Sequence, residues 1–371
     1  MKILVLNYEY PPLGGGGGVV AANIAESYVN SGHEVIVVTS GIASVSFYEN
    51  RKNLEIYRLP VFRQSFAVGK IYQMFFYILF ALPMISFLIF RRKINFIHLH
   101  FLLPTGVLGY FAKKVFGIPY IVTLHGGDVP SHFPEATSKF FKYFIPLANL
   151  IIRNSEKCVA VSESLYQLAV NDFKAQKEKI TWIDNGVTVH KNHKVKFSQQ
   201  LNFIFVGRLS KEKNILPIIK LLSATKYNFK FDVLGDGEQM LEMAQFLQNK
   251  KEERIRLHGW IDSEKISVFL ESTHFMIMNS KMEGLSLAAL EAMSYGIPII
   301  SSDCEGMKKI IVEGKNGFLF RNEKEFEEIL KNIFNPNFKT KYSQMRNDTF
   351  GIVKEKYNIQ DKAKLYLNIL K

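Results

Sequence analysis

Two glutamates separated by seven residues, Glu283 and Glu291, lie in the stretch NSKMEGLSLAALEAMSYGIPIISS, residues 279–302. Leu287 to Met293 are good helix formers, Gly296 and Pro298 end the helix, and Ile297 to Ile300 begin a buried strand. Glu283 therefore stands just before a helix N-terminus, where backbone N–H groups lack partners and attract anions. Glu291 falls one to two turns inside. Two carboxylates suit hydroxyl groups, and the amides of Gly284, Leu285, Ser286 and Leu287 suit a phosphate. A nucleotide sugar presents a hexose, a ribose and a diphosphate between them. A second basic group sits earlier, in FVGRLSKEKNI: Lys211 and Lys213 begin a helix, beside the positive end of its dipole, and such a placement favours a bound anion.

These residues need a frame. KILVL at residues 2–6 reads as a buried parallel strand, followed by the run Gly14–Gly18, a helix from Val19 to Asn30 and a second strand from Glu34 to Thr39. The Gly run, with Gly15, Gly16 and Gly17 at its centre, lets a ligand approach the backbone. The dinucleotide fingerprint is absent, since strand two ends in Thr39-Ser40-Gly41 with no acid, and no phosphate-loop lysine motif occurs. The strand at 120–124 ends in His125-Gly126-Gly127-Asp128, and loops after strands are where open α/β sheets place their chemistry. His98 and His100 share a face of the preceding strand, without a third metal ligand nearby, and are expected to be packing residues. No D-x-D occurs, which disfavours a metal-dependent sugar transferase. From Val187 to Gln200 the chain is polar and basic, and it reads as a linker. A second series of βα units follows from Phe203.

The 371 residues, 47% hydrophobic, are enough for two domains with separate cores. The formal charge is +13, which points to nucleic acid, anionic lipid or a phosphate-rich substrate, and no nucleic-acid motif supports the first. Cys158 and Cys304 lie far apart in apolar runs and are expected as buried thiols. With no signal peptide at Lys2 to Leu6, a cytoplasmic setting is the default. Ile71 to Phe90 carries no charge and has the length of a membrane span, but Gln73, Pro83 and Ser86 interrupt it and basic residues flank it. A helix lying in the interface of an anionic membrane fits better, with a buried core helix as the alternative. KFFKYFI at 139–145 is a second basic-aromatic cluster.

The E-x7-E pattern embedded in EGLSLAALEAMSYGIPII resembles the signature of retaining glycosyltransferase family 4. The resemblance extends over PP and Gly-Gly after the first strand, His125-Gly126-Gly127-Asp128, Val161 to Ser164, Asn185 to Val187 and Gly207-Arg208-Leu209 with Lys213. It implies the GT-B architecture, α/β with two Rossmann-like domains facing each other across a deep cleft. The acceptor-side domain would take residues 1–190, with a helix of about 352–371 packing back on it, and the nucleotide-sugar domain residues 200–350. By the same resemblance Arg208 and Lys213 contact the diphosphate, Gly259 and Trp260 cup the base, and Glu283 and Glu291 take the sugar and ribose hydroxyls. His125 and Asp128 line the reaction centre. The expected activity is metal-independent transfer of a hexose from a nucleoside-diphosphate sugar to a lipid-linked or growing glycan, with no cofactor, at the inner face of the cell membrane. Asn279 to Met282 depart from the family's Pro-Ser, and Lys309 stands where many members have Glu, so the donor sugar is not assigned. A sugar-nucleotide epimerase on the same fold and a non-enzymatic membrane- or polyanion-binding protein are the rival readings.

Overall fold

The computed structural model describes residues 1–66, 69–132, 138–173, 177–190 and 195–369, with backbone alone at 138–143 and 263–264. Most of the basic-aromatic run at 139–145 thus lies outside the described side chains. The chain forms two compact units, Met1–Gly186 with Ile359–Lys371, and Val187–Asn358.

The first unit runs β1 (Lys2–Leu6), α1 (Gly16–Asn30), β2 (Glu34–Ile42), β3 (Tyr48–Arg51), β4 (Leu54–Arg63), α2 (Ile71–Arg92), β5 (Phe96–His100), α3 (Thr105–Phe116), β6 (Tyr120–Leu124), α4 (Ser138–Asn154), β7 (Cys158–Ala160), α5 (Glu163–Phe173) and β8 (Ile180–Trp182). Its sheet order is β3-β4-β2-β1-β5-β6-β7-β8, parallel except for the antiparallel edge strand β3. Helices on both faces require strands without a polar side, and β5 and β6 are buried at every residue. The chain winds outward from β1 to β4, then returns to place β5 on the other side of β1. The switch point between β1 and β5 is where such sheets open a crevice at their carboxyl ends.

The second unit runs β9 (Leu201–Val206), α6 (Ile215–Ala224), β10 (Phe229–Leu234), α7 (Met240–Lys250), β11 (Ile255–Gly259), α8 (Ser263–Leu270), β12 (Phe275–Met278), α9 (Leu287–Ser294), β13 (Ile299–Ser302), α10 (Glu305–Ile310), β14 (Gly317–Phe320), α11 (Glu323–Ile333) and α12 (Phe338–Lys356). Its order, β11-β10-β9-β12-β13-β14, is again parallel, with its switch point between β9 and β12.

Three local expectations are corrected. Residues 48–63 form β3 and β4, which the sequence pattern left unread because β3, YENR, has no buried face. The C-terminal segment is two helices, not one from about 352: α12 stops at Lys356, and α13 (Ile359–Ile369) is the part that joins the first unit, against α1. The linker begins later than Val187, which is buried and donates its N–H to the Tyr357 carbonyl at 2.8 Å. Cys158 and Cys304 are both free and buried.

Candidate active site

In the second unit, the loops after β9 and β12 flank the switch point and are stitched together. Asn279 Nδ2 donates to the Asn214 carbonyl at 2.8 Å, and the Lys281 N–H donates to the Glu212 carbonyl at 2.9 Å. Across this seam the Lys213 ammonium meets Glu283 Oε2 at 2.5 Å. The same oxygen accepts the Ser280 hydroxyl at 3.1 Å. Both side chains are partly exposed, at 21% and 14%. The predicted conflict between Lys213 and the start of α6 is thus met by a carboxylate from the neighbouring loop, in a position that a diphosphate could share.

Ser286 caps α9, its Oγ accepting the Ala289 N–H at 3.4 Å. Behind the loop, the Gly306 N–H donates to the Glu283 carbonyl at 3.0 Å. A Cβ at Gly306 would lie 2.1 Å from the Gly284 carbonyl oxygen, so only glycine lets α10 approach Glu283 and Gly284 this closely. Leu285 and Leu287 are half-buried beside Glu283. On α9, the Glu291 carboxyl has no hydrogen-bond or ion-pair partner among the described residues, and burial pushes it up to about 7. Arg208, on the β9 loop, is exposed and its guanidinium likewise lacks a partner among them. Gly259 and Trp260 end β11, two strands from the switch point. They connect inward through the Gly259 carbonyl, which accepts the Gly235 N–H at 2.8 Å. Trp260 is exposed.

In the first unit, the ends of β1, β5 and β6 bring the other predicted residues together. Gly15 precedes α1 and donates its N–H to Glu9 Oε2 at 3.2 Å. Gly16 opens the helix. Gly17 passes so close to the neighbouring rings that a Cβ there would lie 2.5 Å from Phe101 and 3.3 Å from His125. His125 Nε2 is 2.9 Å from His100 Nδ1, and burial holds its imidazole down to about 3, in the neutral form. His100 is depressed well below its usual value for the same reason, and its Nε2 is buried without a hydrogen-bond partner among the described residues. His98 stacks on His100, bonds the Tyr28 hydroxyl at 3.0 Å and Thr123 Oγ1 at 2.8 Å, and is held at about 3 by burial.

Asp128 joins the loops after β5 and β6 through both of its oxygens. Its Oδ1 accepts the Leu102 N–H at 3.0 Å and its Oδ2 the His125 N–H at 2.9 Å. The side chain is buried, and burial lifts its carboxyl to about 7 against the pull of those two donors. Asp128 therefore braces the loops after β5 and β6; it positions His125. The contact that sequence reasoning missed is His100. Its alternation with His98 was visible, but His125 lies 25 residues on, and only the pairing of β5 with β6 makes them neighbours.

With both loop clusters described, comparison with known proteins decides the class. The model of Glycosyltransferase Family 4 matches residues 14–191, and that of Glycosyl transferases group 1 matches residues 188–348. The chain belongs to glycosyltransferase family 4. This family 4 enzyme is 26% identical to N-acetyl-alpha-D-glucosaminyl L-malate synthase of Bacillus anthracis, over 86% of this chain and 84% of that protein. It is 27% identical to the UDP-Gal:alpha-D-GlcNAc-diphosphoundecaprenol alpha-1,3-galactosyltransferase of Escherichia coli, over 62% and 63%. Among solved structures, sucrose-phosphate synthase of Thermosynechococcus elongatus superposes with a TM-score of 0.79 at 16% identity, covering 99% and 98% of the two chains. Anabaena HepE in complex with UDP and glucose gives 0.74 at 16%, covering 100% and 99%. The family 4 enzyme thus has the two-sheet α/β fold of GT-B glycosyltransferases.

Proposed function

We propose that the enzyme moves a hexose from a nucleoside-diphosphate sugar to a hydroxyl of a lipid-linked or growing cell-surface glycan, with retention of configuration and with protein cations in place of a metal. The observation that carries this reading is the Lys213–Glu283 pair, drawn together across the β9/β12 switch point. A cation and a carboxylate at one crevice match a diphosphate joined to a sugar. The Escherichia coli relative, named for UDP-Gal and a diphosphoundecaprenol acceptor, supports both substrate classes.

In this reading Glu283 receives hexose hydroxyls, Lys213 and Arg208 take the diphosphate with the amides at the start of α9, and Glu291 takes the ribose. Gly259 and Trp260 adjoin the base. As the anomeric C–O bond to phosphate lengthens, negative charge grows on the leaving oxygen, and fixed cations and N–H groups stabilise it. The acceptor oxygen bonds to the anomeric carbon from the same face, and its proton passes to the departing phosphate. In the first unit, near the Gly15–Gly17 turn, neutral His125 offers a hydrogen bond to a sugar hydroxyl. The absence of D-x-D agrees with charge stabilisation by the protein.

The test is a panel of UDP-, GDP- and ADP-sugars with EDTA present, comparing the wild type with Glu283→Ala and following product configuration by NMR. Metal-free transfer or slow hydrolysis of one donor, lost in the variant and giving a retained anomer, is the expected result. Binding of no donor, or conversion of the donor to an epimer without acceptor, overturns the reading.

A further inference from the structure

Helix α2 has two apolar faces, and only one is used by the fold. Gln73, Tyr77, Ala81, Ile85 and Leu88 recur at helical spacing and are buried, and the Tyr77 hydroxyl donates to the Val38 carbonyl at 2.8 Å. The opposite line is Tyr72, Phe75, Leu79, Pro83, Phe87 and Phe90, all exposed, with Phe90 the most open at 82%. An ordinary surface helix carries charged residues there. This line has none over its length of about 27 Å. Phe62, also exposed, extends the surface sideways, its ring 5.1 Å from that of Phe76.

Charge frames the stripe. Between Glu55 and Asp128 the chain has eight Lys or Arg and no acid. Lys70 precedes the helix, and Arg91, Arg92 and Lys93 close it, all exposed. Helices α2 and α3 pack together and lead into the adjacent parallel strands β5 and β6, so their last turns lie at the same end of the sheet, before the strands' N-termini. There α3 adds Lys113 and Lys114 with exposed Val115 and Phe116. Arg92 is partly engaged by Glu55 at 2.7 Å and Lys113 by Glu156 at 2.9 Å, and no carboxylate pairs with Arg91, Lys93 or Lys114 among the described residues.

We propose that this face of α2 docks on an anionic bilayer, lying flat with its exposed apolar line among the acyl-chain boundaries and its basic ends at the head groups. By length and composition α2 could cross a membrane. Its inner line, however, is embedded in the core of the first unit, with Tyr77, Ala81 and Ile85 fully buried. Pro83 also withholds an N–H from the helix on the outer line, and head-group water can satisfy the carbonyl so released where hydrocarbon cannot. The start of α2 adjoins the Gly-rich turn: Gly69 packs against Tyr8, and the Gly14 N–H donates to the Phe66 carbonyl at 2.7 Å. The docked face therefore begins beside the loop at the β1/β5 switch point.

Docking does not depend on the sugar chemistry and is measured without any sugar. The full chain is floated with vesicles of phosphatidylcholine alone and with about one-third phosphatidylglycerol. Two variants accompany it, Phe75→Ser/Leu79→Ser/Phe90→Ser and Arg91→Gln/Lys93→Gln, both at exposed sites and both checked by thermal melting. The wild type is expected to float with the anionic vesicles, to release with added salt or alkaline carbonate, and to lose partitioning by about tenfold or more in each variant. Equal flotation with neutral vesicles, unchanged flotation of the triple variant, or resistance to alkaline extraction overturns the proposal. So does light scattering that shows a dimer which the triple variant dissociates, because the face is then an interface between copies.

Discussion

Glu283 accepts two donors on one oxygen, from Lys213 and Ser280, and this concentrates its effect on substrate more than on folding. An ion pair of this partly exposed kind stabilises a fold by about 1 kcal/mol or less. Loss of a group that is aligned before the transition state forms costs on the order of 10²–10³ in turnover. Glu283→Ala is therefore expected to shift urea unfolding only slightly while kcat falls by about those two to three decades, and equal damage to both would refute the assignment. Glu291 makes a pH prediction. In the proposed donor complex only its ionised form accepts two ribose hydroxyls, and burial holds its carboxyl at about 7. Donor affinity should rise between pH 6 and 8, and Glu291→Gln should flatten that rise in calorimetric titrations. The histidines make a second pH prediction, on stability. His98 and His125 titrate at about 3 in the fold, against 6.5 in the unfolded chain. Their contribution is complete above pH 6.5 and is lost as the pH falls toward 3, because the unfolded state then binds the extra protons. Urea midpoints at pH 7.5 and 5 measure this, with the larger drop expected in the wild type than in His98→Gln.

At the level of elements, the loop carrying Glu283 is set by a glycine on the next helix. Gly306→Ala forces a Cβ toward the Gly284 and Glu283 carbonyls, contacts of 2.1 and 2.4 Å that backbone must yield. Donor affinity should fall at least tenfold while the circular dichroism spectrum is kept, and normal binding would show that the loop accommodates the change elsewhere. Nothing in the run EGMKKI announces this role, since it arises from packing between α10 and the β12 loop. By contrast, the rhythm of strand, turn and helix was legible, because parallel strands such as β1 and β5 are apolar throughout and their helices are bounded by Gly and Pro. Both loops of the second-unit site were legible as well, Lys213 through its dipole conflict and Glu283 through its place before α9. Illegible were β3, whose polar edge residues have no alternation, and the break between α12 and α13, where no Gly or Pro stands between Lys356 and Ile359. The bond from His100 to His125 belongs to the same class, being created by strand pairing rather than by local spacing.

For the whole molecule the return of the chain is decisive. Helix α13 lies against α1, and its Tyr366 ring is 5.0 Å from His98. Tyr366 is buried in the core of the first unit. Deleting residues 359–371 removes these contacts from the first unit and leaves the second intact. Scanning calorimetry of the truncated chain should show one transition moved down by several degrees and another in place; a uniform shift of both would contradict the two-unit description. The same discontinuity has a consequence during synthesis. About 170 residues of the second unit separate α13 from the rest of its own unit. At translation rates of roughly 5–20 residues per second, the rest of the first unit, complete at Gly186, waits roughly 10–35 s for α13. Throughout that interval the nascent first unit presents an uncovered apolar seam beside α1, so the ribosome finishes the second unit before the unit that began first.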